Sequence, residues 1–586
     1  MSAPSETPTF FGPNESPLFG VLHLPADNRV RGGVLICGSL GKEGMDSIRF
    51  QRVLATDLAE IGYAVLRFDY YGTGDSAFGH HRDDAVAMWS RSIRHAADHL
   101  CGIGAPTVSA IALRAGGLLV DHAIAAGTPI GRVGYLDPPA NGRRYLREQA
   151  ALYRFTVGPE AVADNTATHD TVSIIGARLS QSAAKSFNAL KLTGPVTTGA
   201  DRLFIVRPGE TERFASTDRA RVIAAPGLAE FAQTADVVVP MPMAALGDIV
   251  DWFAGADDSA RVAIDPRPVT TALMPVSTDN GPVNVLETIE TFGPKGLFGI
   301  RTRPVGSTPG QGRVVLFFAT SNDPHVGPAR GWVELGRQIA VGGAQAFRWD
   351  GTGLGNSPEI VRDQWQPIYD ARRIADGHEA GRHAAHDPRQ LSVVGICSGS
   401  WYAAHTAREL AVGAALLVNA GSWSWPSGAW AWQWNVRRDI LATAGDAGPT
   451  PGAAPDPTQP WPLRKRIIES LKPFRDQLKT LLRARLPRPL LKLLGRAGLA
   501  QVPEVLLGPL LRNDTRTVLM LCPFDVEHFA GFDGFPTVAR LQRAGLPLRT
   551  VELDGGDHAA YHQAVLDGIR DELLGPPCKQ SLALGS

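Results

Sequence analysis

An internal repeat constrains the fold of this chain more than any other feature of its sequence. Residues 34–76 and 314–357 follow the same order of apolar run, polar loop, amphipathic stretch, second apolar run and glycine-rich turn. That order is typical of a strand–helix–strand unit, because parallel strands need a crossover connection. Five pairs of identical residues keep the copies in register: Arg67 and Arg348, Asp69 and Asp350, Gly72 and Gly353, Gly74 and Gly355, Ser76 and Ser357. We therefore predict a mostly parallel α/β fold that occurs twice in tandem.

The repeat also sets the predicted domain boundaries. A chain of 586 residues is too long for one ordinary core. The motifs FGPNESPLFG (11–20) and FGPKGLFG (292–299) each open a two-stranded segment ahead of one copy. We place a first domain at 1–260, a Pro-, Asp- and Ala-rich linker at 261–283 and a second domain at 284–586, with helical cap insertions at about 139–200 and about 422–513.

The sequence VVGICSGSW (393–401) predicts a sharp turn between a buried strand and a helix. Gly395 and Gly399 are small where strand and helix crowd together, and Cys397 lies between them at the tip of the turn. A helix that begins near Ser398 favours a thiolate at its N-terminus. A buried structural cysteine is the alternative, since cysteine is among the most buried residue types. The spacing of the turn and the motifs downstream favour a nucleophile.

Two downstream motifs supply partners for Cys397. The apolar run TVLMLCPF (517–524) indicates a buried strand that ends at Asp525, and the glycine-rich motif DGGDHAAY (554–561) presents His558. We predict that His558 takes the thiol proton and that Asp525 fixes the tautomer of the histidine. The competing candidates are Asp557, Asp533 and Glu527 for the acid, and His528 and His562 for the base.

The first copy lacks this set of groups. TVSAIALRAGG (107–117) aligns with the turn so that Arg114 stands at the position of Cys397. An arginine is not a nucleophile, and the segment where a histidine would follow, QTADVVVPMPMA (233–244), holds none. We predict no covalent catalysis in the first domain. Arg114 is a candidate site for a carboxylate or phosphate anion, or else forms a salt bridge that fills the vacant site.

The insertion in the second domain begins with an aromatic segment. GSWSWPSGAWAWQWN (421–435) holds five of the chain's 12 tryptophans and leaves the carboxyl end of a strand. Trp423 and Trp425, together with His325 of the motif HVGPARGW, are therefore candidate residues of a substrate pocket. The alternative is that the aromatic rings anchor the cap by packing, as they do in most cores.

Residues 464–496 form a basic amphipathic stretch in the same insertion. They hold eleven Lys or Arg against Glu469 and Asp476, in a chain whose total charge is zero. Such a surface fits an anionic acyl donor, a thioester of coenzyme A or of an acyl carrier protein. There are two alternatives: the stretch makes peripheral contact with an anionic membrane, or it is a solvated face without a partner.

Composition excludes other classes of protein. Lys plus Arg and Asp plus Glu number 58 each, which argues against a nucleic-acid-binding protein with a basic surface. The N-terminal sequence MSAPSETPTFFG has no basic-then-apolar leader, so we expect a cytoplasmic protein. The five cysteines have neither paired nor metal-type spacing, so we expect no disulfide framework, metal site or cofactor.

The motifs make each half resemble an α/β-hydrolase, with nucleophile, acid and histidine in that chain order. The cysteine turn is similar to those of dienelactone hydrolases and polyhydroxyalkanoate synthases, although Ser400 stands where those families have a second glycine. The motifs HVGPARGW (325–332), RWDGTGLGNS (348–357), GICSGSW (395–401) and DHAAY (557–561) look closer to bacterial α/β hydrolases of polysaccharide and secondary-metabolite pathways, including exosortase-associated hydrolases.

The resemblance implies acyl transfer through a thioester on Cys397. The oxyanion would be held by the backbone N–H groups of Ser398 and of Ala319 or Thr320. Transfer to a small-molecule alcohol or amine is the first prediction, and hydrolysis by a thioesterase or esterase is the second. A third hypothesis is a non-catalytic scaffold. The presence of the nucleophile, acid and histidine in one half alone argues against it.

Overall fold

The chain forms two large, mostly parallel β-sheets, each with apolar cores on both of its faces. In the computed structural model the described residues are 3–79, 81–158, 171–192, 201–232, 239–255, 260–360, 362, 368–424 and 486–575. The central strands are apolar throughout. Every residue of Gly32–Cys37 and of Val314–Phe318 is buried, because helices cover both sides of the sheet.

Twelve strands precede residue 264 among the described residues. They are β1 (Ser5–Phe11), β2 (Leu18–Leu24), β3 (Arg29–Val30), β4 (Gly32–Cys37), β5 (Tyr63–Phe68), β6 (Val108–Leu113), β7 (Arg132–Leu136), β8 (Thr171–Ile174), β9 (Ala177–Ser180), β10 (Asp201–Val206), β11 (Ala220–Ala224) and β12 (Val262–Ala263). The first large sheet has the order β1-β2-β5-β4-β6-β7-β10-β11, antiparallel from β1 to β5 and parallel from there on.

The second large sheet repeats this order with one extra strand at its antiparallel edge. Its strands are β13 (Thr271–Thr278), β14 (Gly281–Phe292), β15 (Leu297–Pro304), β16 (Val314–Phe318), β17 (Gln345–Trp349), β18 (Leu391–Ile396), β19 (Ala414–Val418), β20 (Arg516–Leu521) and β21 (Leu548–Glu552). The order is β13-β14-β15-β17-β16-β18-β19-β20-β21. The predicted fold class, a mostly parallel α/β sheet that occurs twice in tandem, is confirmed.

Helices connect the strands. They are α1 (Gly41–Asp46), α2 (Ile48–Glu60), α3 (Ala85–Gly102), α4 (Gly116–Ala125), α5 (Gly142–Val157), α6 (Gln181–Asn188), α7 (Leu228–Phe231), α8 (Met243–Ala254), α9 (Gly331–Val341), α10 (Ala371–Ala384), α11 (Ser398–Leu410), α12 (Arg488–Arg496), α13 (Pro503–Arg512), α14 (Pro523–Ala530), α15 (Gly534–Arg543) and α16 (Gln563–Leu574). Within the described ranges, no helix combines the length and the apolar character needed to span a bilayer.

The two insertions follow the same strand position in each half. The first contains α5, the hairpin β8–β9 and α6 between β7 and β10, so its described part is not purely helical. The second follows β19 and contains α12 and α13. Residues 425–485 lie outside the described residues, and with them Trp425 and most of the basic stretch 464–496.

Part of the predicted linker, 261–283, forms strands. Thr271–Thr278 pairs antiparallel with β14 as the edge strand of the second sheet. An edge strand tolerates Pro275 because no N–H is needed on its open side. Val262–Ala263 pairs instead with β3 of the first half.

The glycine-rich turns of the repeat have the same hydrogen bonds in both halves. Ser76 Oγ donates to the Asp69 carbonyl at 2.8 Å, and Ser357 Oγ donates to the Asp350 carbonyl at 2.6 Å. The same hydroxyls accept from the backbone N–H of Phe19 and of its counterpart, Phe298, at 3.0 and 2.9 Å. The register of the repeat is therefore preserved in three dimensions.

These turns meet at the interface between the halves, around His325. Its Nε2 lies 2.6 Å from Asp75 Oδ2, and its Nδ1 lies 2.9 Å from Asp350 Oδ2. Arg348 pairs with Asp75 across the interface and with Glu287 of its own half. All five side chains are almost fully buried. Since buried charges are tolerated when they are paired, each half neutralises charges of the other.

We expect the stability of the chain to fall as the pH rises from about 6.5, the pKa of an unfolded histidine. Burial lowers the pKa of His325, but Asp350 and Asp75 raise it, to about 10. Because the pKa in the folded protein is the higher one, the stabilisation is complete below about pH 6.5 and is lost towards pH 10, with a slope of at most about 1.4 kcal/mol per pH unit.

Urea unfolding at several pH values measures this slope. In His325→Gln the part of the slope due to this residue should disappear, so that wild type and variant converge in stability as the pH rises. A constant difference between them across the range would contradict the prediction.

Candidate active site

The turn between β18 and α11 holds Cys397 in a backbone conformation that residues other than glycine rarely adopt. Its φ is 54° and its ψ is −118°. The turn is tight because a Cβ at Gly395 would lie 2.3 Å from the Gly399 carbonyl carbon, and a Cβ at Gly399 would lie 2.7 Å from the Ala319 carbonyl oxygen. Both glycines are thus required, and the turn points the thiol away from the strand.

Ser400 stands directly after Gly399, where the resembling families have a second glycine. Its hydroxyl contacts the carbonyl oxygens of Gly395 at 2.6 Å and Val418 at 2.8 Å. These contacts tie the first turn of α11 to the ends of β18 and β19. The serine that departs from the resembling families therefore has a structural role here.

The structure brings Cys397, His558 and Asp525 together. Asp525 is buried in the first turn of α14, and its Oδ1 lies 2.7 Å from His558 Nδ1. The His558 side chain also forms a hydrogen bond with the Cys397 thiol. The contact at Nδ1 restrains the orientation of the ring, as the acid does in a nucleophile–histidine–acid triad. The catalytic role of the three residues stays a prediction.

The electrostatics of the site favour a thiolate–imidazolium pair. Burial raises the pKa of Cys397, but His558 and the hydroxyl of Thr320 lower it, and the net pKa falls below that of a free thiol. Burial likewise lowers the pKa of His558, but Cys397 and Asp525 raise it well above its usual value. The two shifts have a common cause, because the charged form of each group stabilises the charged form of the other.

The competing acids and bases have other contacts. Asp557 accepts backbone hydrogen bonds from Ala559 at 3.1 Å and His562 at 2.7 Å, which shapes the histidine loop. His562 begins α16 and accepts from a backbone N–H of that helix. Asp533 pairs with Arg540 at an exposed position. Neither Glu527 nor His528 bonds to the sulfur; His528 stacks on Phe524.

The loop after β16 lies beside the sulfur. The Thr320 hydroxyl bonds to Cys397, and the Ser398 backbone N–H does the same. Ser321, with φ 52°, donates its N–H to Ser398 Oγ at 2.7 Å. The predicted oxyanion residues Ser398, Ala319 and Thr320 are therefore neighbours of the thiol, and their role in binding an oxyanion stays a prediction.

Asn419 is a site residue that sequence reasoning missed. It is fully buried directly after β19, with φ 47°. Its Nδ2 donates to the His558 carbonyl at 3.0 Å and to the Asp557 carbonyl at 3.3 Å, and its Oδ1 accepts from Cys522 N–H at 2.9 Å. It thereby fixes the histidine loop to the strand that leads to Asp525. A lone polar residue at the end of an apolar strand, in VNAG, was the available signal.

The first half also covers the loop that carries His558. Tyr561, three residues further along, packs in an apolar cluster with Tyr153, Val157 and Ile175. Those three residues belong to α5 and the β8–β9 hairpin, the cap of the first half. The site thus has walls from both halves of the chain.

The predicted pocket residues need correction. Trp423 is completely buried and packs against Phe529 with ring centroids 5.0 Å apart, so it anchors the insertion to the core. His325 is 3% exposed and is enclosed by Asp75 and Asp350. It borders a cavity at the interface whose lining residues do not include Cys397. Trp425 lies outside the described residues.

Arg114 forms the salt bridge that was the alternative to an anion site. It occupies the same strained turn as Cys397, with φ 49°, and it is buried. Its guanidinium bonds to Asp137 and Glu148 at 3.1 Å and to Glu43 at 3.2 Å. The prediction of an anion site is wrong, because three carboxylates already surround the cation.

Comparisons with known proteins give fold matches only. No protein-family model matches the chain, and no curated protein matches it. A hypothetical protein from Pseudomonas aeruginosa is 15% identical over 43% of this chain and 94% of its own, with a TM-score of 0.31. The 2-hydroxy-6-oxo-6-phenylhexa-2,4-dienoate hydrolase from Rhodococcus sp. strain RHA1 is 13% identical over 43% of this chain and 100% of its own, with a TM-score of 0.29.

A third solved structure, Est1E from Butyrivibrio proteoclasticus with bound ferulic acid, is 17% identical over 42% of this chain and 96% of its own, with a TM-score of 0.31. Each of these three matches spans less than half of the chain, and none assigns it an activity. The likeness to exosortase-associated hydrolases therefore stays a prediction. In the described part of the chain no group of three or more His, Cys, Asp or Glu is arranged to hold a metal ion.

Cys397 should react selectively with iodoacetamide at about pH 6, where an ordinary thiol is almost fully protonated. The lowered pKa of Cys397 keeps its thiolate populated as the pH falls. His558→Ala should slow the labelling, because the variant lacks the counter-ion. Peptide mass spectrometry over a pH series measures it, with the exposed Cys101 as the internal control. Labelling of all cysteines alike, and only after unfolding, would contradict a poised thiol.

Arg114→Met should destabilise the protein by about 3–5 kcal/mol, because it leaves buried carboxylates without their cation. Thermal or urea unfolding measures the loss. Arg219→Met is the matched control, since it removes the exposed pair with Asp201, worth about 0–1 kcal/mol. Equal losses in the two variants would show that Arg114 does not compensate these charges.

Proposed function

We propose that the second half transfers acyl groups through a thioester formed on Cys397. The donor is an activated thioester on coenzyme A or an acyl carrier protein, and the acceptor is a small-molecule alcohol or amine. The chemistry needs a nucleophile, a base that also acts as an acid, and donors for a developing oxyanion. Its main support is the contact of the Cys397 sulfur with the His558 ring, which Asp525 orients from the opposite side.

The first step forms the acyl-enzyme. The Cys397 thiolate attacks the carbonyl carbon of the donor, and the resulting oxyanion lies near the Ser398 N–H and the loop that carries Thr320. As the intermediate collapses, the bond from carbon to the donor sulfur breaks. The departing thiolate takes the proton from the His558 imidazolium, so a free thiol leaves and His558 becomes neutral.

The second step transfers the acyl group. Neutral His558 removes the proton of the acceptor as its oxygen or nitrogen attacks the thioester carbon. The bond between that carbon and the Cys397 sulfur then breaks, and the thiolate and the imidazolium are restored together. Asp525 stabilises the positive ring through its contact with Nδ1.

Hydrolysis is the second candidate, and one observation favours it. The side chain of His558 is 37% exposed, so solvent reaches the group that would activate the acceptor. Water in place of the alcohol or amine gives a thioesterase by the same two steps. The nature of the released product separates the two candidates.

Incubation with an acyl-coenzyme A should add the mass of the acyl group to the peptide that contains Cys397. Samples quenched in acid preserve the thioester, and neutral hydroxylamine should remove it. In His558→Ala the rate of acylation should fall by about 10²- to 10⁴-fold, because the general acid is lost. His528→Ala is the matched control, since it removes a nearby imidazole that does not bond to the sulfur.

Adding amines or alcohols to the acylated protein identifies the acceptor. Transfer is supported if an ester or amide appears, and hydrolysis is supported if free acid is the only product. Absence of acylated Cys397 with thioesters of short and long chains would rule out both reactions and leave the scaffold hypothesis.

A further inference from the structure

We propose that Asp75, in the half without a nucleophile, is a positioning residue for the active-site loop of the other half. The loop in question is residues 319–325, which connects the Cys397 site with the interface. This inference rests on the proposed function, because it assigns the loop a part in acyl transfer. The first half would then act as a permanent partner domain of the active site.

One end of the loop is fixed at the active site. Ser321 N–H donates to Ser398 Oγ at 2.7 Å, and the Thr320 hydroxyl bonds to Cys397. Arg373 donates to Asn322 Oδ1 at 3.3 Å. These contacts place the backbone of Ala319 and Thr320 beside the sulfur, where a carbonyl oxygen of the substrate would lie.

The other end of the loop is fixed at His325, and Asp75 completes this anchor. The backbone N–H of His325 donates to Asp350 Oδ1 at 2.8 Å, while its Nδ1 lies 2.9 Å from Oδ2 of the same carboxylate. Asp75 Oδ2 binds the remaining ring nitrogen at 2.6 Å. With carboxylates on both ring nitrogens, the side chain is held as an imidazolium in a single orientation.

Asp75 is itself held rigidly from the second half. Arg348 pairs with its carboxylate, and Arg337 donates to its carbonyl oxygen at 2.7 Å. Asp75 is fully buried. The position of the first half therefore sets the position of the loop, because the Asp75 and His325 side chains are both buried and paired.

The repeat has no second copy of the contact between Asp75 and His325. Strand pairing places Cys37 opposite Ala112 and Phe318 opposite Gly395, so the first-half position equivalent to His325 is Gly44. The position equivalent to Asp75 is Asn356, which receives a hydrogen bond from Arg67 at 3.2 Å. The carboxylate–imidazolium contact therefore serves the half that has Cys397, and the half with Arg114 has no counterpart of it.

The effect of losing this contact follows from the geometry that acyl transfer needs. Displacing a group in the site by about 1 Å reduces rates by about 10²-fold. Alkylation of the sulfur by iodoacetamide is a displacement at a saturated carbon and forms no oxyanion. A shift of the loop should therefore slow acylation. It should leave alkylation unchanged at about pH 10, where an ordinary thiol is ionised with or without the contact from Thr320.

The test compares these two reactions of Cys397 in Asp75→Asn. We expect the rate of acylation by acyl-coenzyme A to fall by about 10- to 100-fold, while the rate of alkylation at about pH 10, where the thiol is ionised, stays unchanged. Asn356→Ala is the matched control at the same interface and should change neither rate. If Asp75→Asn does not fold, His325→Gln, which keeps the pair of Asp75 with Arg348, takes its place with the same expectation.

Three results would overturn the inference. Normal acylation in Asp75→Asn would remove the positioning role and leave the proposed function intact. A parallel fall in acylation and alkylation would show a general structural effect. A wild-type protein that is alkylated selectively at Cys397 but never acylated would overturn the proposed function, and the inference with it.

Discussion

The close approach of β18 and α11 is the constraint on which the rest of the site depends. Without side chains at Gly395 and Gly399 the strand turns into the helix within a few residues, and Cys397 takes a positive φ. A conformation of this kind costs about 1–3 kcal/mol and persists only where surrounding packing imposes it. Here the buried strands on either side and the Ser400 hydroxyl impose it. The sulfur consequently lies at a helix N-terminus and in reach of His558.

The same backbone strain persists in the half that lacks the nucleophile. Arg114 has nearly the φ of Cys397, so the turn is a property of the fold and not of the reaction. What differs is the environment of the side chain. The guanidinium is enclosed by carboxylates, whereas the thiol faces a histidine and a hydroxyl. One backbone thus supports an ion cluster in one half and a candidate nucleophile in the other.

Duplication also gave the chain an interface that a single domain would not have. The turns of the two copies meet, and His325 lies between a carboxylate from each half. Because buried charges need partners, the halves depend on one another for neutralisation. The Tyr561 cluster adds an apolar contact from the first-half cap to the loop of His558. The half without a nucleophile is therefore part of the surroundings of the site.

Local patterns in the sequence determined the repeat, the sheet class, the turn at Cys397 and the approximate positions of Asp525 and His558, because strand periodicity and glycine requirements are short-range properties. Only the tertiary structure decided which acid faces His558, since Asp557 and Asp525 differ in direction and not in pattern. It likewise placed Trp423 in the core, His325 in the interface and Pro275 of the predicted linker on an edge strand. Those outcomes depend on contacts between residues far apart in the chain, and such contacts leave no mark on the sequence around either partner.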